Sequence, residues 1–250
     1  MGREGEGPGE FRGPLGVAVS DGGEVAVHDG SRGAVIRYGL DRSILPQPAY
    51  PFSVITNRLR HFEIVPGGTV MWARDRFAGS DDRFDRLLLL SADDTVALVA
   101  GTPRPTSTAQ YPACGMTFTM SVPLSPSIRW AQWGQRIAVA LWGEDRVDLF
   151  DGLRLTRSLR LAPAGPELSE GDAVRILEEY GTRGPCNATP SELARKHGFY
   201  PRLQSILGLA LAPDGTIWVG WRRDGDRRAL FDSTGAPVGL LAPGFPMPLN

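Results

Sequence analysis

One arrangement recurs along this chain and restricts its fold more than any other feature. An apolar run of period two meets a glycine-containing turn, and a second apolar run follows. Leu15-Gly16-Val17-Ala18-Val19 leads through Asp21-Gly22-Gly23 into Glu24-Val25-Ala26-Val27-His28. Near the other end, Leu207-Gly208-Leu209-Ala210-Leu211 leads through Pro213-Asp214-Gly215 into Thr216-Ile217-Trp218-Val219-Gly220. Two weaker copies run from His61 to Trp72 around Pro66-Gly67-Gly68, and from Ile128 to Ala140 around Gln132-Trp133-Gly134. Alternation places one side of each run against a core, and β-branched and aromatic residues suit a pleated surface. Glycine supplies the positive φ of a tight hairpin turn. Each copy is therefore a predicted β-hairpin.

A third apolar run follows every hairpin, at Ala34–Tyr38, Arg86–Leu90, Arg146–Phe150 and Arg228–Phe231. A fourth follows three of them, at Thr95–Ala100, Leu155–Leu161 and Pro237–Ala242; after the first copy, Ile44–Pro51 is broken by prolines. Four short antiparallel strands, returning roughly every 45 to 80 residues, are the pattern of propeller blades. A single twisted sheet cannot cover both its faces, and radial stacking does so. The expected fold is all-β, a β-propeller of about four complete four-stranded blades over residues 11–52, 59–101, 114–162 and 205–243. One extra strand, 116–122, has no place in that scheme.

The totals agree with such a protein and exclude several others. Apolar residues make up 42% of the 250 positions, charged ones 22%, and the formal net charge is −1. No global field draws the chain to nucleic acid or an anionic membrane. No apolar stretch approaches the ~20 residues of a membrane span. MGREGEGPGEF carries no apolar segment of the signal-peptide kind. The 31 glycines and 21 prolines are spread along the chain, as many turns require.

Three stretches carry a family resemblance: GEGPGEFRGPLGVAVSDGGEVAVHDG, IRWAQWGQRIAVALWGEDRVDLFDG and ILGLALAPDGTIWVGW. They resemble the six-bladed β-propellers of the NHL-repeat and TolB-like type, bacterial proteins of unassigned function with an extracytoplasmic setting. The motifs are generic to a fold rather than to a reaction. The resemblance implies six blades where four are counted. Either the chain is a fragment lacking about a blade at each end, or it closes as a ring of four or five.

Residues 163–204 break the strand pattern. Ser169-Glu170-Gly171-Asp172 has the form of a capping box before Ala173–Tyr180, and Thr189-Pro190-Ser191-Glu192 opens a second helix ending near Gly198. This helical insertion near 167–198 is either a packing plug or a lid over a ligand or partner surface. Cys114 and Cys186 form no metal-binding spacing and are either a long-range disulfide or two buried thiols. In the exported setting that the resemblance implies, a bridge between them would pin the insert to the junction of the second and third blades.

Chemistry is sparsely signalled. Gly5-Glu6-Gly7-Pro8-Gly9 lacks the flanking strand and helix of a phosphate loop and carries glutamates that repel phosphate. His28, His61 and His197 have no histidine or cysteine partner at ligand spacing. His28 beside Asp29 is a solvated or structural pair before it is a catalytic one. His197 suits a helix C-terminus. Asp81, Asp82 and Asp85 lack the spacing of a calcium loop. No catalytic residue, metal ligand or cofactor is assigned.

Asp29, Arg74, Trp142, Trp221 and Arg222 fall at or just beyond the ends of second strands, where successive blades would place them around one mouth. Aromatic faces and cations there suit a sugar, a peptide or an anionic small molecule. The expected function is non-catalytic recognition of a protein, peptide or glycan on one disc face. The alternative is a metal-dependent hydrolase or lactonase, for which the resembling enzymes use carboxylates and an asparagine from separate blades. Asn57 and Asn187 lie off the inner strands, and Glu63 is almost the only inner-strand carboxylate.

Overall fold

Alternating apolar residues and short turns produce short antiparallel strands throughout. In a computed structural model, residues 4–5, 7, 9–20, 22–32, 34–45, 62–65, 68–76, 83–91, 96–101, 108–125, 128–140, 146–161, 166–222 and 226–241 are described. The first sheet holds β1 (Pro14–Val19), β2 (Val25–Asp29) and β3 (Ala34–Tyr38); the second holds β4 (Phe62–Val65), β5 (Gly68–Arg76), β6 (Arg83–Ser91) and β7 (Val96–Gly101). A separate hairpin pairs β8 (Thr108–Ala113) with β9 (Met116–Ser121). The third sheet is β10 (Arg129–Trp133), β11 (Arg136–Ala140), β12 (Arg146–Asp151) and β13 (Arg154–Arg160). Helices α1 (Glu170–Glu179) and α2 (Pro190–His197) follow. The last sheet is β14 (Ile206–Leu211), β15 (Ile217–Arg222), β16 (Asp226–Phe231) and β17 (Pro237–Leu241). Among the described residues, the strands of each of these sheets pair antiparallel and in chain order.

Side chains on the two faces of the third sheet join different cores. Ala138, Ala140, Val147 and Leu159 pack with Ile206, Leu211, Val219 and Phe231 of the last sheet. Ile137 and Val139, with Trp130, pack with Leu87, Val99 and Ala100 of the second. First strands meet first strands, β1 beside β4 and β10 beside β14. Meander sheets stacked face to face with their first strands together form a propeller-type fan. At the near end of the fan, Leu15, Val17 and Val19 are 57%, 64% and 59% exposed, whereas Ala18 between them is buried.

The first sheet is the one whose fourth run is broken by prolines in the sequence. It has three described strands, with Ile44 bridging to Tyr38; residues 46–51 of the expected fourth run lie outside the described residues. The extra strand is resolved into β9, and its partner β8 is one that sequence reading missed. Ala113 pairs with Met116, leaving a two-residue turn in which Cys114 and Gly115 both have positive φ, 50° and 71°. That is the twist a two-residue hairpin requires. In the third sheet the strand runs on through Trp133, which pairs with Arg136, so the turn is Gly134-Gln135.

The helical insertion forms as its caps foretell. Ser169 accepts from the Asp172 amide and Thr189 from the Glu192 amide, each in a reciprocal capping box. Arg195 Nε donates to Glu170 Oε1 at 3.2 Å, tying α2 to α1. A disulfide joins Cys114 to Cys186, and Leu193 and Ala188 pack on Tyr111. The insert is thus held against the β8–β9 hairpin. His197, in the last turn of α2, is buried edge-on against Tyr111 at 5.5 Å between ring centres.

Candidate functional site

Antiparallel pairing fixes which residues share an end of the fan. In each sheet the end of the second strand lies opposite the hairpin turn that joins the first two strands. Asp29 closes β2, and the backbones of Trp221 and Arg222 close β15. Arg74 stands two residues before the end of β5, paired with Asp85. Trp142, together with Asp81, Asp82, Asn57 and His61, lies outside the described residues.

Asp29 has a specific local role. Its carboxylate accepts the backbone amides of Arg12 (2.7 Å), Gly13 (3.1 Å), Ser31 (3.1 Å) and Arg32 (3.3 Å). The residue is fully buried. Burial alone would raise its pKa, but the four amides together outweigh that and hold it below the ordinary carboxylate value. It fastens the N-terminal connector to the β2–β3 turn. His28 beside it is equally buried; burial lowers its pKa, and the negative charge of Asp29 opposes that only partly.

At the opposite end, where the hairpin turns gather, a cleft of about 410 Å³ opens between the third and last sheets. Its rim carries Arg136 from the start of β11, with Arg154, Thr156 and Arg157 from β13 and Ser233 and Thr234 from the β16–β17 turn. Its floor is apolar, with buried Leu211 and Ile217 and half-buried Leu149; Phe150 borders it while packing into the core on the other face of the sheet. Asp151 is the one carboxylate in the lining, 3.7 Å from Arg154. Arg157 reaches across the cleft to the Thr234 carbonyl. Arg136 lies over Gly215, which has φ +85°; a Cβ there would collide with the guanidinium and stand 2.7 Å from Ser233 Cβ. Glycine is thus favoured both by the positive φ of the turn and by the close approach of Ser233.

Sequence reasoning placed its candidate surface at the other end and missed this cleft. The signal was present in RLTRSLR, residues 154–160, an outer strand with arginines and no acid. What the sequence did not give was the neighbouring sheet that makes these arginines one wall of a cleft. Among the described residues, no group of three or more histidine, cysteine, aspartate or glutamate side chains could hold a metal ion, and no helix is long and apolar enough to cross a membrane.

Consecutive antiparallel meanders packed face to face around adjoining first strands define an all-β protein of the β-propeller class. No protein-family model and no curated protein sequence matches the chain. Solved structures similar to it include a gluconolactonase from Xanthomonas campestris, at 13% identity and a TM-score of 0.42, covering 92% of this chain and 62% of that one. Others are virginiamycin B lyase from Staphylococcus aureus (10%, TM-score 0.36, covering 94% and 71%) and a PQQ-bound aldose sugar dehydrogenase from Streptomyces coelicolor (14%, TM-score 0.31, covering 94% and 82%). The chain thus spans less than two thirds of the lactonase's length. Similarity of this size assigns no residue a role, and the class rests on the sheets themselves.

Proposed function

We propose that this chain is a recognition module of the NHL-repeat/TolB-like, six-bladed propeller type, which binds a protein, peptide or glycan on one end of its fan of sheets. The observation that carries the reading is the cleft between the third and last sheets. It is concave, it is built by turns and strands of two rigid sheets, and it combines an apolar floor with guanidinium and hydroxyl groups, the composition of a binding site. The uncovered row Leu15, Val17 and Val19 supports a ring of more blades, because a neighbouring sheet covers such a row elsewhere in the fan. The second-strand ends, with Arg74, Trp221, Arg222 and the expected Trp142, are the other place where a partner would be sought; Asp29, fully buried on four backbone amides, is a structural residue there and not a ligand contact.

Peptide and glycan arrays probed with the purified protein test the reading. Binding is expected from at least one array and is expected to fall with Arg154→Ala and Arg157→Ala together. Loss with Trp142→Ala and Trp221→Ala instead would move the site to the opposite end. Turnover of a lactone dependent on an added divalent cation would replace recognition by catalysis.

A further inference from the structure

We infer that the cleft takes an organic anion with an apolar body, a carboxylate carried on an aliphatic or aromatic group; this rests on the recognition reading above. The charge balance of the lining is the first reason. Three guanidiniums, Arg136, Arg154 and Arg157, stand against two carboxylates: Asp151 in the lining, engaged by Arg154, and Asp232 just behind the Ser233-Thr234 turn, whose negative charge Arg157 meets and whose Oδ1 already accepts from Thr234 and the Ala236 amide. Arg157 spends one donor on the Thr234 carbonyl and its charge is partly met by Asp232, so Arg136 is the guanidinium of the three with the most charge left to a ligand. Among the described residues no carboxylate pairs with Arg136, although its guanidinium is drawn over the Gly215 turn and into the cleft. Like charges held together repel, and a bound carboxylate relieves that repulsion while accepting the planar, two-pronged hydrogen bonding that guanidinium offers.

The floor is the second reason. Leu211 and Ile217 belong to the core between the two sheets, and Leu149 packs against the same core. A ligand that was charge alone would leave this surface wet, whereas an apolar body covers it. The hydroxyls narrow the orientation. Thr156 donates to the Leu149 carbonyl and Thr234 donates to Asp232, so both offer the cleft lone pairs, and Ser233 is the hydroxyl left to donate. The cationic rim therefore takes the carboxylate, and the apolar part lies inward. A volume of about 410 Å³ suits one small molecule or one side-chain pair of a peptide.

The test uses three probes on the whole chain: 3-phenylpropionate, its amide, and inorganic phosphate at matched ionic strength. Binding is followed by NMR through the arginine Nε–Hε resonances. The acid is expected to bind, to shift those resonances, and to do so more tightly than either the amide or phosphate. In the Arg136→Gln, Arg157→Gln double variant its affinity is expected to fall roughly tenfold or more, the size of lost charge-assisted hydrogen bonds. The Arg136→Lys, Arg157→Lys variant keeps the charge without the planar fork and is expected to lie between, which guards against a double variant that fails to fold. Equal binding of acid and amide, equal binding of acid and phosphate, or unchanged affinity in the Gln variant would each overturn the inference. If the acid fails while an array ligand binds the second-strand end, this inference falls and the recognition reading stands. Empty arrays as well would remove both.

Discussion

Asp29 shows how much a single side chain can organise. Four backbone amides from two separate turns converge on its two carboxylate oxygens, and it is fully buried. Asp29→Ala leaves those donors without their acceptor, each worth ~1–3 kcal/mol when buried and unsatisfied. Because water reaches some of them in the variant, the expected loss is on the order of 3 kcal/mol, read as a lower urea midpoint at unchanged slope. Its pKa is depressed, so its contribution is fully present above the ordinary carboxylate range and is lost as pH falls through the folded value. His28 adds to the same trend. Burial lowers its pKa, so below about 6.5 the unfolded chain takes up a proton before the folded one does, and stability falls on acidification. Urea titrations between about pH 7 and 5 are expected to show this slope, and His28→Gln to flatten it. The sequence read His28 and Asp29 as a solvated or structural pair and also set Asp29 among the ligand-binding candidates; full burial makes the pair structural. The four amides were not legible, because Arg12 and Gly13 reach Asp29 only when the connector folds back along β2.

At the scale of elements, the helical insert and the β8–β9 hairpin belong together. The disulfide between Cys114 and Cys186 closes a span of 72 residues, for which loop entropy gives about 4 kcal/mol. Replacing both cysteines by serine is expected to lower stability by roughly that amount or somewhat less, with chemical denaturation as the measure. The same variant is expected to be cut first between residues 181 and 189 in limited proteolysis, since that segment loses its covalent anchor while the rest of the insert keeps its packing on Tyr111 and the hydrogen bond from the Tyr200 amide to the Pro123 carbonyl. A second prediction concerns the turn beneath Arg136. Gly215→Ala meets both positive φ and Ser233, whose Cβ and Cα would stand 2.7 Å and 3.4 Å from the new methyl, whereas Gly152, at φ +57°, has open space. Gly152→Ala is expected to cost ~1–2 kcal/mol from backbone strain alone, and Gly215→Ala more, by thermal unfolding. Helix caps were legible because they are written within four consecutive residues. The strand β8 was not, because Thr108–Ala113 has weak alternation and contains Pro112. Its place is decided by the Cys114-Gly115 turn and by Leu193 and Ala188 covering Tyr111.

The whole molecule is held by interfaces in series. Val139 and Val147, both fully buried, lie on opposite faces of the third sheet and belong to different cores, one shared with the second sheet and one with the last. Val139→Ala and Val147→Ala each remove two carbons from a packed interface, with an expected cost of about 2 kcal/mol. If the fan folds as one unit, each lowers the midpoint of a single transition, seen alike by circular dichroism and by tryptophan fluorescence. Separate transitions would mean that sheets unfold one at a time, as in repeat proteins. The sequence by itself determined the local grammar: period-two runs, turn glycines and helix caps act between near neighbours, so they are written where they act. That grammar was enough for the all-β class, the meander order and the helical insertion. Only the tertiary structure decided which sheet faces which, where Cys114 finds its partner, and that arginines from β11 and β13 stand across a cleft from the turns of the last sheet. The physical reason is that face-to-face packing and charge proximity join residues distant in sequence, and no local pattern records the distance between them.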